Sequence, residues 1–460
     1  MVPALSSIIA GHVASFPGDA LPIGAQHAAR RALLDAYGVM LAASGLSEEA
    51  APFARRARAA AESGPARLIG HGLRVPLETA ALANGALAHA LDFGDTFDAG
   101  PAHPHAALVP ALLALADAEP AIDGARFVAA LALGGDLACR LSLAAGAALD
   151  ARGWYSPAAL GLIGAAAGCG YLLGLDADGV RNAIGLALCQ ASFPAAIKYD
   201  PASHVRAVRE GFAARAAVTG ALLAREGVAA FAAPLEGPCG FFAQHAGGTP
   251  ETDALLDGLG RVFLGQHVSF KPWPSCRGTH AYIEAALRLR EAHAFDPGDI
   301  VKVEVVIGPV QTMLCEPRIS RIAPTSAIDA KFSIPFTLAT ALIARAVTLD
   351  SFDVAARADR AILALAARVA PRLHPDWGRA QAASGIVTLE LADGRTLTAE
   401  VMQAAGHPDH PLSDEALVEK FVACAGRAAR PMAPEQAAIL ARRILILGTG
   451  DSVARLFDSI

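Results

Sequence analysis

Seven side chains able to move protons or hold anions crowd into one short stretch of an otherwise apolar sequence. They are His89, Asp92, Asp95, Thr96, Asp98, His103 and His105, within ALAHALDFGDTFDAGPAHPHAALVPALLALAD, residues 86–117. Imidazole titrates near neutrality, so His103 is the first acid/base candidate, and the following Pro104 restricts its backbone. Asp92 would orient that ring or hydrogen-bond a substrate. A carboxylate or imidazole in apolar surroundings needs a partner wherever it occurs. The same residues therefore also fit a helix-end network in which Asp92 caps backbone amides and the histidines are exposed.

A second stretch, VSFKPWPSCRGTHAYIEAAL (residues 268–287), places Lys271, Ser275, Cys276, Arg277, Thr279 and His280 in a Pro/Gly-bounded turn that opens a helix. Lys271 and Arg277 supply positive charge, and the backbone amides at the helix start add to an anion site. That combination suits small polycarboxylates, whose reactions build negative charge beside a carboxylate that is already anionic. At about 4 Å and an effective dielectric near 20, one such cation contributes about 4 kcal/mol of gross Coulomb attraction. Phe270 and Trp273 flank Lys271 and predict partial burial rather than a surface lysine. Cys276, beside Arg277 and His280, fits either a reactive thiol or an inert, partly buried one. Lys198, in AAIKYDPASH, reads as a solvated loop lysine, with replacement of a catalytic cation as the alternative. A third stretch, DAKFSIPFTLATAL (residues 329–342), has a polar start and an apolar helical tail.

These groups need elements to hold them. Gly85, His89 and Asp92 fall at i, i+4 and i+7, and Leu108, Leu112 and Leu115 repeat that spacing after the loop, so two packed helices are predicted to flank it. A 3.6-residue apolar period runs to about residue 262 and predicts an all-α domain over 1–262. IVKVEVVI (residues 300–307) alternates as a half-buried strand does, and GIVTLELADGRTLTAEV (residues 385–401) reads as two strands about Asp393-Gly394. Helical stretches at about 331–346 and 351–370 complete an α+β domain over 263–404. From Ser413 the start signal of SDEALVEKF predicts helices in 405–460.

Composition excludes several classes. There are 38 basic and 44 acidic residues, with no long basic run, which argues against a nucleic-acid partner. Seven scattered cysteines lack zinc-like spacing, so neither a disulfide framework nor a zinc site is expected. Residues 153–175 carry no formal charge, but Pro157 and several glycines make them a poor membrane span and a good buried helix. The opening MVPALSSIIAGHVASFPGDA lacks the basic start and apolar core of a secretory signal, so a cytoplasmic location is expected.

Four ordered stretches carry a family resemblance: NGALAHALDFGDT with the following HP, KPWPSCRGTH, AKFSIPF and GHPDHPLSDEALVEKF. With them the chain resembles the MmgE/PrpD family, which includes 2-methylcitrate dehydratase, cis-aconitate decarboxylase and iminodisuccinate epimerase. The resemblance implies a mainly α, two-domain fold: a large all-α helical domain, a smaller α+β lid domain, and C-terminal helices that fold back onto the first. It implies a homodimer and a small di- or tricarboxylate substrate, and the enzyme is expected to need no cofactor and no metal and to have no membrane partner. Asp92, Thr96 and His103 fall on family active-site positions, with a loop between Thr96 and His103 one residue longer than usual. Lys271 falls on a family active-site lysine. Ser275, Cys276 and Arg277 are further candidates for substrate binding.

The departures are specific. Tyr155, in Gly153-Trp154-Tyr155-Ser156-Pro157, replaces a family active-site histidine. Arg206 stands five positions before Gly211, where the family often has lysine; arginine is no proton-transfer base but can clamp a carboxylate. Phe336, placed with the substrate-binding residues, stands where a tyrosine is expected. The leading expectation is a lyase of dehydratase or decarboxylase type in which His103, Lys271 and Tyr155 share acid/base work. Asp92, Thr96, Arg206 and Arg277 would position substrate. The alternatives are an epimerase of a small dicarboxylate and an inactive carboxylate-binding homologue.

Overall fold

The structure is a computed structural model that describes residues 4–190, 192–200, 203–248 and 250–458. It divides into two compact units, with the chain passing into the second after Val268 and returning at Ser413.

The first unit is built from helices that include Ile23–Leu46, Leu77–Ala90, Pro104–Ala118, Gly124–Ala151, Ser156–Leu173 and Glu210–Arg225. Small residues set how closely they approach. A Cβ on Gly164 would lie 2.4 Å from the Gly134 carbonyl oxygen, and one on Gly211 would lie 2.3 Å from that of Leu82. Helices Gly124–Ala151 and Ser156–Leu173 are long and apolar enough to cross a membrane, yet 89% and 94% of their apolar windows are buried inside the fold. They are its core. Helices Asp414–Ala425 and Pro434–Leu445 pack back on Ile23–Leu46, and Tyr37 stacks on Phe457 at 4.3 Å.

The second unit holds a four-stranded sheet in the order Val369–Leu373, Ile300–Ile307, Gly385–Leu391, Thr396–Val401. The first pair is parallel and the other two are antiparallel. Gly394, at φ +85°, makes the hairpin turn. Helices His280–Ala292 and Ile334–Ala344 join Val303, Val305, Val387 and Leu389 in one apolar core.

Three sequence expectations change. The helical stretch expected over 351–370 breaks into short turns ending in helix Arg360–Ala366, and Val369–Leu373 is a strand instead. Pro371 hides that strand in the sequence, and an edge position tolerates its missing N–H. The first boundary falls after 268 rather than 262. The Leu264 N–H donates to Asp136 Oδ1 at 2.7 Å, and the Phe263 ring meets Phe16 at 5.6 Å. The second falls after 412 rather than 404. The Ala405 N–H donates to Glu284 Oε2 at 2.7 Å, and the Phe270 N–H to the Gly406 carbonyl at 3.1 Å, which ties this stretch to the sheet unit.

Candidate active site

Helix Leu77–Ala90 stops before Asp92, which lies at φ +50° and so leaves the helical face shared by Gly85 and His89. This is a correction to the expected spacing. Aspartate tolerates the left-handed region better than most residues. The turn brings Asp92 Oδ1 to 3.4 Å from His89 Nε2, while the Asp92 N–H donates to the His89 carbonyl at 2.9 Å. Thr96 is buried as well. Residues 97–102 close a tight loop in which the Phe97 N–H donates to the Ala102 carbonyl at 3.0 Å.

His103 is the residue that caps helix Pro104–Ala118, but its side chain makes no capping bond. Pro104 suits the first helical position, where its missing N–H would find no partner within the helix in any case. Its Nδ1 lies 2.9 Å from the main-chain carbonyl of Asp95, and the ring sits 4.5 Å from that of His89. A carbonyl only accepts, so Nδ1 carries the proton in this contact. The Asp95 carboxylate meanwhile holds His105 Nδ1 at 2.7 Å. His89 and His105 are only 5% and 2% exposed, which overturns the exposed-histidine alternative.

Tyr155 repeats the arrangement, preceding helix Ser156–Leu173 with Pro157 in its first turn and no side-chain cap. Its N–H donates to the Phe193 carbonyl at 2.6 Å. Burial pushes the phenol up; Arg209 and Arg206 pull it down, and Glu210 and Asp92 push it up further. The Arg209 guanidinium lies 4.2 Å from the ring centroid and Lys198 Nζ 5.2 Å. Lys198 also pairs with Asp150 at 3.4 Å, so it is not the solvated loop lysine that the sequence suggested. Part of its loop, residues 201–202, lies outside the described residues.

Sequence reasoning missed Arg209 and Glu210, both fully buried. Arg209 Nη2 lies 2.9 Å from His89 Nε2, Nη1 donates to the Arg206 carbonyl, and Nε lies 3.3 Å from Glu210 Oε1. Neither Glu210 carboxylate oxygen has a hydrogen-bond partner among the described residues. Burial pushes this carboxyl up against the downward pull of Arg209, and Asp95 adds to the rise. Arg206 lies in the short helix Val205–Val208, half-buried. The available signal was VRAVREG: arginines at i and i+3, and a charged pair abutting a packing glycine.

The sheet unit carries the second polar cluster. Lys271 is 1% exposed, fully rather than partly buried. Ser275 Oγ bonds Thr279 Oγ1 at 2.7 Å, and Thr279 Oγ1 donates to the Cys276 carbonyl at 2.8 Å. The half-buried Cys276 donates its N–H to the Lys331 carbonyl at 3.0 Å. Arg277, expected to position substrate, donates to the Ala405 and Ala404 carbonyls at 2.8 and 3.0 Å and so is tied to the end of its own unit. Phe336 is fully buried in the apolar core, 6.3 Å from the Phe352 ring, so the structure gives it packing in place of the expected substrate contact.

The N-terminal domain model of the MmgE/PrpD family matches residues 7–253, and its C-terminal domain model matches residues 273–444. The chain belongs to the MmgE/PrpD family. Among relatives of this MmgE/PrpD enzyme, the cis-aconitate decarboxylase-like protein oryM of Aspergillus oryzae is 28% identical over 431 residues, 88% of this chain and 87% of that one. The cis-aconitate decarboxylase of Homo sapiens is 29% identical over 365 residues, covering 77% and 74% of the two chains. That of Aspergillus terreus is 27% identical over 385 residues, covering 79% and 77%. Two departures that stood apart in the sequence of this MmgE/PrpD enzyme, Tyr155 and Arg206, meet through Arg209.

Proposed function

We propose that this family lyase decarboxylates a small unsaturated tricarboxylate of the cis-aconitate kind, without a cofactor and with His103 as the proton-transfer group. In that reaction a C–C bond to a carboxylate breaks and CO2 leaves. The electron pair spreads into the neighbouring unsaturated carboxylate, and a carbon takes up a proton. The observation that carries the reading is the bond from His103 Nδ1 to the Asp95 carbonyl, which orients the ring and assigns its proton to Nδ1, so that Nε2 is the proton-transfer nitrogen in this proposal. The relatives named as cis-aconitate decarboxylases support the substrate class. Asp92, Thr96 and Tyr155 act beside His103 in this proposal, and Lys271 is a residue required for turnover. The enzyme acts as a cytoplasmic homodimer in the same proposal, and light scattering checks its size.

The test is proton NMR of the purified enzyme in deuterated water with citrate-like, aconitate-like, malate-like and imino-dicarboxylate substrates, repeated with His103→Gln and Lys271→Ala. Loss of one carboxylate with new vinyl signals, absent in both variants, is the expected result. Deuterium uptake without a new vinyl product identifies an epimerase, a reading that Tyr155 in place of the family histidine favours. Ligand-induced thermal stabilisation with no turnover identifies a carboxylate-binding homologue.

A further inference from the structure

The GHPDHPLSDEALVEKF stretch has no part in the chemistry above, yet its lysine reaches the site. Lys420, on helix Asp414–Ala425, places Nζ 2.6 Å from Asp35 Oδ1 and 2.7 Å from the main-chain carbonyl of Phe93. The same ammonium stands 3.8 Å from the centre of the Phe93 ring. The two charged side chains are 8% and 1% exposed.

Phe93 directly follows Asp92 with its positive φ, and precedes Asp95, whose carbonyl fixes His103. This turn lies outside the repeating hydrogen bonds of a helix or sheet, so an inward-facing carbonyl there needs a donor from elsewhere. An ammonium supplies several donors from one point, and Asp35, anchored in helix Ile23–Leu46, offsets its buried charge. Breaking the contact would free the peptide that sets where Asp92 and Asp95 sit.

We propose that Lys420 is a positioning residue: through the Phe93 carbonyl it holds the 92–96 turn in the geometry that places Asp92 and His103 for reaction. The proposal rests on the functional reading of those two residues. The C-terminal helices would then contribute to catalysis without touching substrate.

The test compares the wild type, Lys420→Met and the double variant Asp35→Asn/Lys420→Met. The double variant leaves no lone buried charge and folds where the single one fails to. In whichever variant keeps a cooperative thermal transition, kcat is expected to fall about 100-fold, the scale of a misplaced catalytic group. KM should stay within about threefold of wild type, the pattern of lost transition-state rather than ground-state interactions. Full kcat in a folded variant overturns the proposal, as does a lower melting temperature with kcat intact. If the wild type turns over no carboxylate, the functional reading fails, and 15N-histidine NMR then decides Lys420 by itself. A shifted His103 resonance in the folded variant upholds the positioning role, and an unchanged one overturns it.

Discussion

Arg209 Nη2 and His89 Nε2 lie 2.9 Å apart, and because a guanidinium only donates, His89 must accept there as the neutral Nδ1–H tautomer. The buried arginine thereby fixes the protonation pattern of the ring that His103 lies against. 15N NMR of labelled histidine should show the Nδ1–H pattern for His89 in the wild type and lose it in Arg209→Met. A doubly protonated His89 at neutral pH in the wild type would contradict the assignment.

Glu210 makes a prediction about pH. Its carboxyl is pushed above the ordinary 4.5 in the fold. The folded state therefore holds a proton that the unfolded chain has already released, and stability falls as pH rises from about 4.5 through the folded value. Glu210→Gln removes that loss. Urea unfolding from pH 4 to 8 should show wild type and variant close at pH 4, with the variant gaining relative stability as pH rises. A constant difference across the range would show that the carboxyl titrates alike in both states.

Gly211 faces the Leu82 carbonyl so closely that an added Cβ would lie 2.3 Å from it, and neither helix backbone yields cheaply. Gly211→Ala should lose about 1–3 kcal/mol, the usual cost of overpacking, and disturb the neighbouring Arg209–His89 bond. Gly11, inside helix Leu5–Ser15, has nothing within 4 Å of an added Cβ. Gly11→Ala should instead gain about 0.5–1 kcal/mol from helix propensity. Equal unfolding midpoints for the two variants would refute the packing argument.

For His103 the expected effect is on rate. Removing a general acid/base costs about 10²–10⁴ in turnover. His103→Gln should lose that much kcat while melting cooperatively, because the half-buried ring supports little of the core. Asp95→Asn removes the carboxylate that holds His105 but keeps the carbonyl that holds His103. It should therefore cost less activity than His103→Gln, and steady-state kinetics on the two variants separates the contributions.

Much of the architecture was legible because periodicity is a local property. The 3.6-residue apolar pattern marked the helices, the alternation in 300–307 marked a strand, and Asp393-Gly394 marked its hairpin. Val369–Leu373 was not legible. Its edge pairing with Val303–Ile307 is a long-range fact, and Pro371 masks the local signal. The site was legible by residue type around His103, where imidazoles and carboxylates crowd into an otherwise apolar stretch. Phe336 misled, because an aromatic in a motif looks alike whether it faces a ligand or its own core.

By itself the sequence determined which segments are helices and strands, that the chain is an MmgE/PrpD-type polypeptide, and which stretches hold proton-transfer groups. Those properties follow from local spacing and residue chemistry. Only the tertiary structure decided that Arg209 locks His89, that the Glu210 carboxylate lies buried with no hydrogen-bond partner among the described residues, and that Lys420 braces the turn after Asp92. Each depends on burial and on contact between residues far apart in the chain, where removal of water turns an ordinary charged side chain into one that must have a particular partner.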